Sequence, residues 1–211
     1  MEIRKPTAAI IVNPVSGKGQ AEAVGVAINE YASSIGYSTV VCVPDSKKEA
    51  LLEMRRLARE TDRVVVVGGD GMVHLGFNAC AQQQAVLGVV PTGTGNDFAR
   101  ALGIPADPDV ATKVAFGDVR SISGLKASDA VGNSVWVATV ATAGFSVAVN
   151  NRASKMIRPK GSSKYTLASI QESVKLGTWN ADYIIDGKQH KADVLMIAVA
   201  NTSTFGGGMK I

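Results

Sequence analysis

Cysteine, histidine and aromatic side chains are all scarce in this chain. Its two cysteines, Cys42 and Cys80, sit among apolar neighbours. They read as buried free thiols of a reducing compartment, not as a disulfide framework. With only two histidines besides, His74 and His190, no metal-ligand spacing exists. Phe, Trp and Tyr make up 5% of the residues, too few for a base-stacking platform. The net charge of +4 is too weak to argue nucleic acid, although it suits anionic phosphates or an anionic membrane surface. Long apolar runs are missing too. Ala8 to Val12 is too short for a signal peptide and reads as a first strand. Ala130 to Asn151 carries no charge, but Gly132, Asn133, Ser134, Gly144 and Ser146 interrupt it. Its valines and threonines point to strands, not to a membrane span. No repeat or low-complexity segment occurs.

What is present is glycine at chosen places. Val64 to Gly71 reads VVVVGGDG. Four β-branched residues with no polar face suit a strand buried on both sides of a parallel sheet. Three glycines in the next four residues, Gly68, Gly69 and Gly71, let the backbone turn sharply and approach a ligand. Met72, Val73, Leu75, Gly76, Ala79 and Cys80 then form an apolar stripe at helical spacing. A strand, a glycine turn and a helix start together favour an anion. Asp70 is the one charged side chain in the turn. It is read as a phosphate or magnesium group in preference to a simple helix cap.

The pattern recurs along the chain. Thr7 to Val12 is a strand followed by the loop Asn13-Pro14-Val15-Ser16-Gly17-Lys18-Gly19. This loop is not a Walker A motif, because Gly19 follows Lys18 where Ser or Thr should stand. Lys18 itself reads as a solvated loop lysine. Gln20 to Ile35 is a helix with Ala23, Ala27, Ile28, Tyr31 and Ile35 on one side, stopped by Gly36. Ser38 to Val43 is the second strand, and Ser46 with Glu49 forms a capping box for a helix to about Glu60. Val86 to Val90 is a fourth strand. It ends in Pro91-Thr92-Gly93-Thr94-Gly95-Asn96-Asp97, followed by short helical stretches over Phe98 to Leu102 and Asp109 to Phe116.

Strand and helix thus alternate four times, which predicts a parallel sheet covered by helices. All strands point one way, so the loops after Val12, Val67 and Val90 meet at the carboxyl edge, where open α/β sheets bind ligands. Three glycine-rich turns on one edge suit polyphosphate. Magnesium is implied, because Asp70 and Asp97 would otherwise repel phosphate. Asp97 serves equally well as an N-terminal helix carboxylate.

Near Gly117 the pattern changes. Leu125 to Ala130, Val135 to Ala143, Tyr183 to Ile185 and Val194 to Ala200 are strand-like, with Gly132-Asn133 and Asp186-Gly187 as hairpin turns and a helix near Lys164 to Leu176. The expected organisation is an α/β open parallel-sheet domain over residues 1–122, then a mostly antiparallel, sandwich-like β-rich domain over residues 123–211. The second domain has too few strands to close a sandwich, so a C-terminally truncated chain is expected. Arg152, Lys155, Arg158, Lys160 and Lys164 form a basic run that reads as a solvated loop or as a membrane-surface contact.

NPVSGKG, VVVVGGDG, VVPTGTGNDFARALGIP and ANTSTFGGGMKI, in this order, resemble the diacylglycerol kinase catalytic-domain family, which includes bacterial lipid kinases and sphingosine and ceramide kinases. The resemblance spans essentially the whole chain. It implies ATP-dependent transfer of the γ-phosphate to a lipid hydroxyl, with magnesium, by a cytoplasmic enzyme peripheral to the membrane. By motif, Asn13, Gly68, Gly69, Asp70, Gly71 and Met72 border ATP. Gly93 and Thr94 approach its phosphates, and Asn96 and Asp97 hold the loop. Asp70 is the candidate magnesium ligand. The family's general base follows the GGG turn, so it is expected beyond Ile211, and this form is expected to be inactive. Two departures stand out: Met72 replaces the usual threonine, and Ser123 stands where an aspartate is common. A lipid partner is expected and nucleic acid is not, with a homodimer left open. The alternatives are a NAD-kinase-like small-molecule kinase, which shares the GGDG turn, and a nucleotide-binding protein without catalysis.

Overall fold

A computed structural model describes residues 4–17, 20–144 and 177–210. The chain divides into two compact units, Met1–Thr139 with Asn201–Ile211, and Val140–Ala200.

The first unit is built on a parallel sheet of four strands: β1 (Thr7–Val12), β2 (Ser38–Cys42), β3 (Arg63–Gly68) and β4 (Val86–Pro91), in the order β2-β1-β3-β4. The register runs Ala9 to Val64 and Ile10 to Val65 across the central pair. Alternate residues face opposite layers. Ala9, Ile11, Val64 and Val66 pack with Met54 and Leu57 of α2 (Lys47–Glu60) and with Met72 and Val73 of α3 (Asp70–Cys80). Ala8, Ile10, Val12, Val65 and Val67 pack with Ile28 of α1 (Ala21–Ser34) and with Ala111, Ala115 and Phe116 of α5 (Pro108–Phe116). Val64 to Val67 are fully buried, as expected of a strand covered on both faces. Burying one such side chain is worth roughly 1.5–3 kcal/mol.

Helices α2 and α5 start where their caps say. Ser46 Oγ accepts the Glu49 N–H, while the Glu49 carboxylate reaches back to the Asp45 N–H, one residue before the cap. Asp107 Oδ1 accepts the N–H groups of Asp109 and Val110, and Pro108 opens α5.

Helix α1 does not bury the face expected for it. Ala21, Gly25, Ile28 and Ala32 are buried, whereas Ala23, Ala27 and Ile35 are exposed. The reason is close approach: a Cβ on Gly25 would lie 2.6 Å from Val12 Cγ2. The inner face therefore needs small residues, and glycine sits at its centre.

A hairpin, β5 (Leu125–Ser128) with β6 (Ser134–Val137), closes this part of the unit. Asn78 in α3 holds it, donating to the Trp136 carbonyl and accepting the Trp136 N–H. The single strand expected over Val135 to Ala143 is two strands, β6 and β7 (Val140–Gly144), in different sheets. Asn201 bonds to the two residues that separate them. Its side-chain amide donates to the Ala138 carbonyl and its backbone N–H to the Thr139 carbonyl.

In the second unit β7 pairs antiparallel with β10 (Met196–Ala200), and β8 (Trp179–Ile185) with β9 (Lys188–Val194). Asp186 and Gly187, at φ 50° and 75°, join β8 to β9 as a primed hairpin turn requires. The α/β sheet followed by antiparallel strands is the fold class the sequence predicts. The expected helix at Lys164 to Leu176, the basic run from Arg152 to Lys164, and Lys18 lie outside the described residues.

Candidate active site

Strand order β2-β1-β3-β4 makes the chain leave β1 and β3 toward opposite edges. Above the carboxyl ends of such a strand pair open α/β sheets take their ligands. The loop after β1 and the turn after β3 lie at these ends. The Asn13 N–H donates to the Val67 carbonyl, and Asn13 Cβ lies 3.5 Å from where a Gly68 Cβ would be. Asn13 Oδ1 accepts the Val15 N–H, which folds the loop back on itself.

The turn after β4 joins them. Ser16 Oγ and Thr92 Oγ1 lie 2.8 Å apart, and the Gly17 N–H donates to the Thr92 carbonyl. On the other side the Thr92 N–H donates to the Gly68 carbonyl. Gly69 and Gly93 touch backbone to backbone, since a Cβ on Gly93 would stand 2.4 Å from the Gly69 Cα. The three turns therefore form one continuous surface.

Asn96 keeps the third turn open. It is left-handed, at φ 53°, and its side chain both accepts the Gly93 N–H and donates to the Gly93 carbonyl. Thr94 at the tip and Gly71 at the start of α3 are exposed, and a Cβ on Gly71 would meet nothing within 4 Å. A cavity of about 260 Å³ adjoins, bordered by Gly17, Gln20, Thr92, Gly93, Asn96 and Pro108. A larger cavity, about 540 Å³, runs along β4 past Phe77, Leu102 and Trp136, away from the first two turns.

The two carboxylates are placed differently. Asp70 is half-buried at the first position of α3, and its Oδ1 accepts the Phe98 N–H at a long 3.4 Å. Its Oδ2 lies 2.6 Å from where a Gly95 Cβ would sit. Asp97 is buried, at 7% exposure, at the start of the short helix α4 (Asp97–Ala101). Its Oδ1 accepts from Arg100 Nη1 and its Oδ2 accepts the Gly207 N–H, both bonds internal to the protein. Met72 is buried as well, its side chain packed into the core beneath Gly68. The position that usually holds threonine therefore points inward here. His74 stays exposed. Sequence reasoning assigned no role to Ser16, Arg100, Asn201 or Gly207, although each stands in a quoted motif. The decisive partners of Ser16, Asn201 and Gly207 lie far away in sequence, and no local pattern announces them; those of Arg100, Asp97 and Gly95, are near.

Residues 7–127 match the diacylglycerol kinase catalytic domain, and residues 139–211 match the YegS C-terminal NAD kinase beta sandwich-like domain. The chain belongs to the diacylglycerol kinase family. A diacylglycerol kinase of Mycobacterium tuberculosis is 34% identical over 214 residues, covering all of this chain and 69% of that protein. A Bacillus subtilis diacylglycerol kinase is 29% identical over 97% of this chain and 68% of its own length. The crystal structure of a diacylglycerol kinase from Bacillus anthracis superposes with a TM-score of 0.73 over 98% of this chain and 68% of that one. At 21% identity this last likeness speaks to the fold alone. The family's NPxSG, GGDG and GTGND turns are the three that meet above β1 and β3.

Proposed function

We propose that the protein is an ATP-dependent lipid kinase that transfers the γ-phosphate of ATP to the hydroxyl of a diacylglycerol-like lipid. The observation that carries this reading is the backbone contact of Gly69 with Gly93, which merges two glycine turns beside the cavity bordered by Gly93 and Asn96. Backbone N–H groups and the helix start at Asp70 favour phosphate there. Asn13, Gly68, Gly69, Gly71 and Gly93 border the nucleotide, Gly71 with free space where a Cβ would stand, and exposed Thr94 offers a hydroxyl to its phosphates. Asn96 keeps the loop in shape.

Magnesium fits the donor set. No cluster of three or more His, Cys, Asp and Glu residues occurs among the described residues. Magnesium needs none, since it is commonly held by one or two carboxylates together with substrate phosphates. Asp70 is the carboxylate that would hold it, because Asp97 spends both oxygens on protein donors. When bound, the ion neutralises charge on the transferring phosphate.

Among the described residues no helix is long and apolar enough to cross a membrane. The enzyme would meet its lipid from the cytoplasmic face, peripherally. The test is phosphorylation by the full-length protein with labelled ATP, magnesium and diacylglycerol in mixed micelles. Labelled phosphatidic acid is expected. Label transferred to NAD and not to lipid would favour the small-molecule kinase, and nucleotide binding with no transfer would favour a non-catalytic binder.

A further inference from the structure

The segment from Asn201 to Lys210 is pinned to the nucleotide-binding unit at two places. At one end Asn201 donates through Nδ2 to the carbonyls of Ser123 and Ala138, and through its backbone N–H to Thr139. At the other end β11 (Thr204–Phe205) and β12 (Met209–Lys210) form a tight hairpin around Gly206, Gly207 and Gly208. All three glycines have positive φ, 61°, 90° and 101°. Few other residues tolerate even one such value. The hairpin turns its Gly207 N–H onto Asp97 Oδ2 at 2.8 Å.

Asp97 is a junction. Its other oxygen takes Arg100 Nη1 at 2.9 Å, and Arg100 Nη2 donates to the Gly95 carbonyl at 2.8 Å. The same guanidinium lies against Gly208, where a Cβ would come within 3.1 Å of Nη1. One carboxylate and one guanidinium thus tie the glycine hairpin to Gly95. From its other side Gly95 meets Asp70.

We infer that Asp97 is a positioning residue: its carboxylate locks the Gly206–Gly208 hairpin onto the Gly93–Asn96 loop, so that hairpin and phosphate loop move as one body. The inference rests on the kinase reading above. It assigns Asp97 no contact with nucleotide, metal or lipid. Its effect on the reaction passes through geometry, and phosphoryl transfer is sensitive to geometry.

The experiment compares parental protein, Asp97→Ala and Asp97→Asn, all full-length. The alanine variant removes both bonds, whereas the asparagine amide oxygen can still accept the Gly207 N–H. Hydrogen exchange over residues 205–210 reads the lock directly. Calorimetry with magnesium–ADP reads the site, and lipid phosphorylation reads the outcome. With Asp97→Ala we expect faster exchange over 205–210 and ADP affinity within about threefold of parental. Turnover should fall about a hundredfold at unchanged KM for ATP. Asp97→Asn should recover most of the protection and most of the turnover. Unchanged exchange in Asp97→Ala overturns the inference. So does ADP affinity falling as steeply as turnover, since Asp97 would then contact the nucleotide or its metal. If Asp97→Ala does not fold, parental exchange decides, because a Gly207 amide as labile as free peptide excludes the lock. A parental protein that binds no nucleotide defeats the kinase reading, while the exchange comparison still judges the hairpin.

Discussion

Gly69 and Gly93, twenty-four positions apart in sequence, meet backbone to backbone (a Cβ on Gly93 would stand 2.4 Å from the Gly69 Cα). A built Gly69 Cβ is less crowded, at 3.1 Å from the Gly93 Cα. Neither neighbour is a flexible side chain that could swing away, so the turns themselves must part. Gly93→Ala is expected to cost about 1–3 kcal/mol of stability, as overpacking does. It should weaken ATP binding more than Gly69→Ala does. Urea midpoints and calorimetry on both variants check the order, and equal affinities would mean that the contact does not shape the site.

Among the described residues Asp70 has one long bond, to the Phe98 N–H, and an oxygen left over. If that bond were its whole role, removing it would cost no more than about 0.5–1.5 kcal/mol and leave nucleotide binding alone. Asp70→Asn should instead bind ATP nearly as parental protein does without magnesium, and lose the extra affinity that magnesium confers. Titration of ATP with and without the ion separates the two roles.

Gly25 packs on Val12 with a built Cβ 2.6 Å from Val12 Cγ2. Val12 is fully buried and has little room to turn. Gly25→Ala is expected to destabilise by about 1–3 kcal/mol despite the gain in helix propensity. Val12→Ala alone should also destabilise, by leaving a cavity. Together the two should cost less than their sum, because the new methyl fills the space the valine leaves. Additive losses in denaturant midpoints would show that α1 meets β1 elsewhere.

What the sequence made legible was local. A run such as Val64 to Val67 has no polar face and can only be a strand covered on both sides, and glycines directly after it can only turn. Those features alone bring Asn13, Gly69 and Gly93 to one sheet edge. Asp97, which from the sequence suits a phosphate-side carboxylate and a helix start equally, stands at the start of α4, but its partner Gly207 is far along the chain and nothing near Asp97 points to it. The break between β6 and β7 has no local sign either, and Asn201, which bonds to Thr139 there, stands 62 positions along. The inner face of α1 was misjudged because hydrophobicity was weighed where closeness decides, and Gly25 is buried for its size. Strand β9, Lys188–Val194, is too polar and exposed to announce itself without its turn.

The chain's two thiols should behave unequally. Burial pushes the Cys80 thiol up to about 12, while the half-buried Cys42 is raised mainly by burial and further by Glu53. At pH 8 a soluble alkylating reagent is therefore expected to label Cys42 slowly and Cys80 only in denaturant, since the thiolate is the reactive form. A stability effect follows from the same shift. Below pH 9 the thiol keeps its proton whether the chain is folded or not. Between about 9 and 12 the unfolded chain loses it and the folded chain does not, so stability falls as pH rises, by at most about 1.4 kcal/mol per pH unit. Lysines and tyrosines titrate in the same range, so the total slope is not diagnostic. The comparison with Cys80→Ala is. That variant starts lower, by a roughly constant cavity cost, and should lose stability less steeply above pH 9. Parallel curves from pH 8 to 10.5 would mean that Cys80 ionises as freely in the fold as in the open chain, against its place in the core beside Ala79 and Val73.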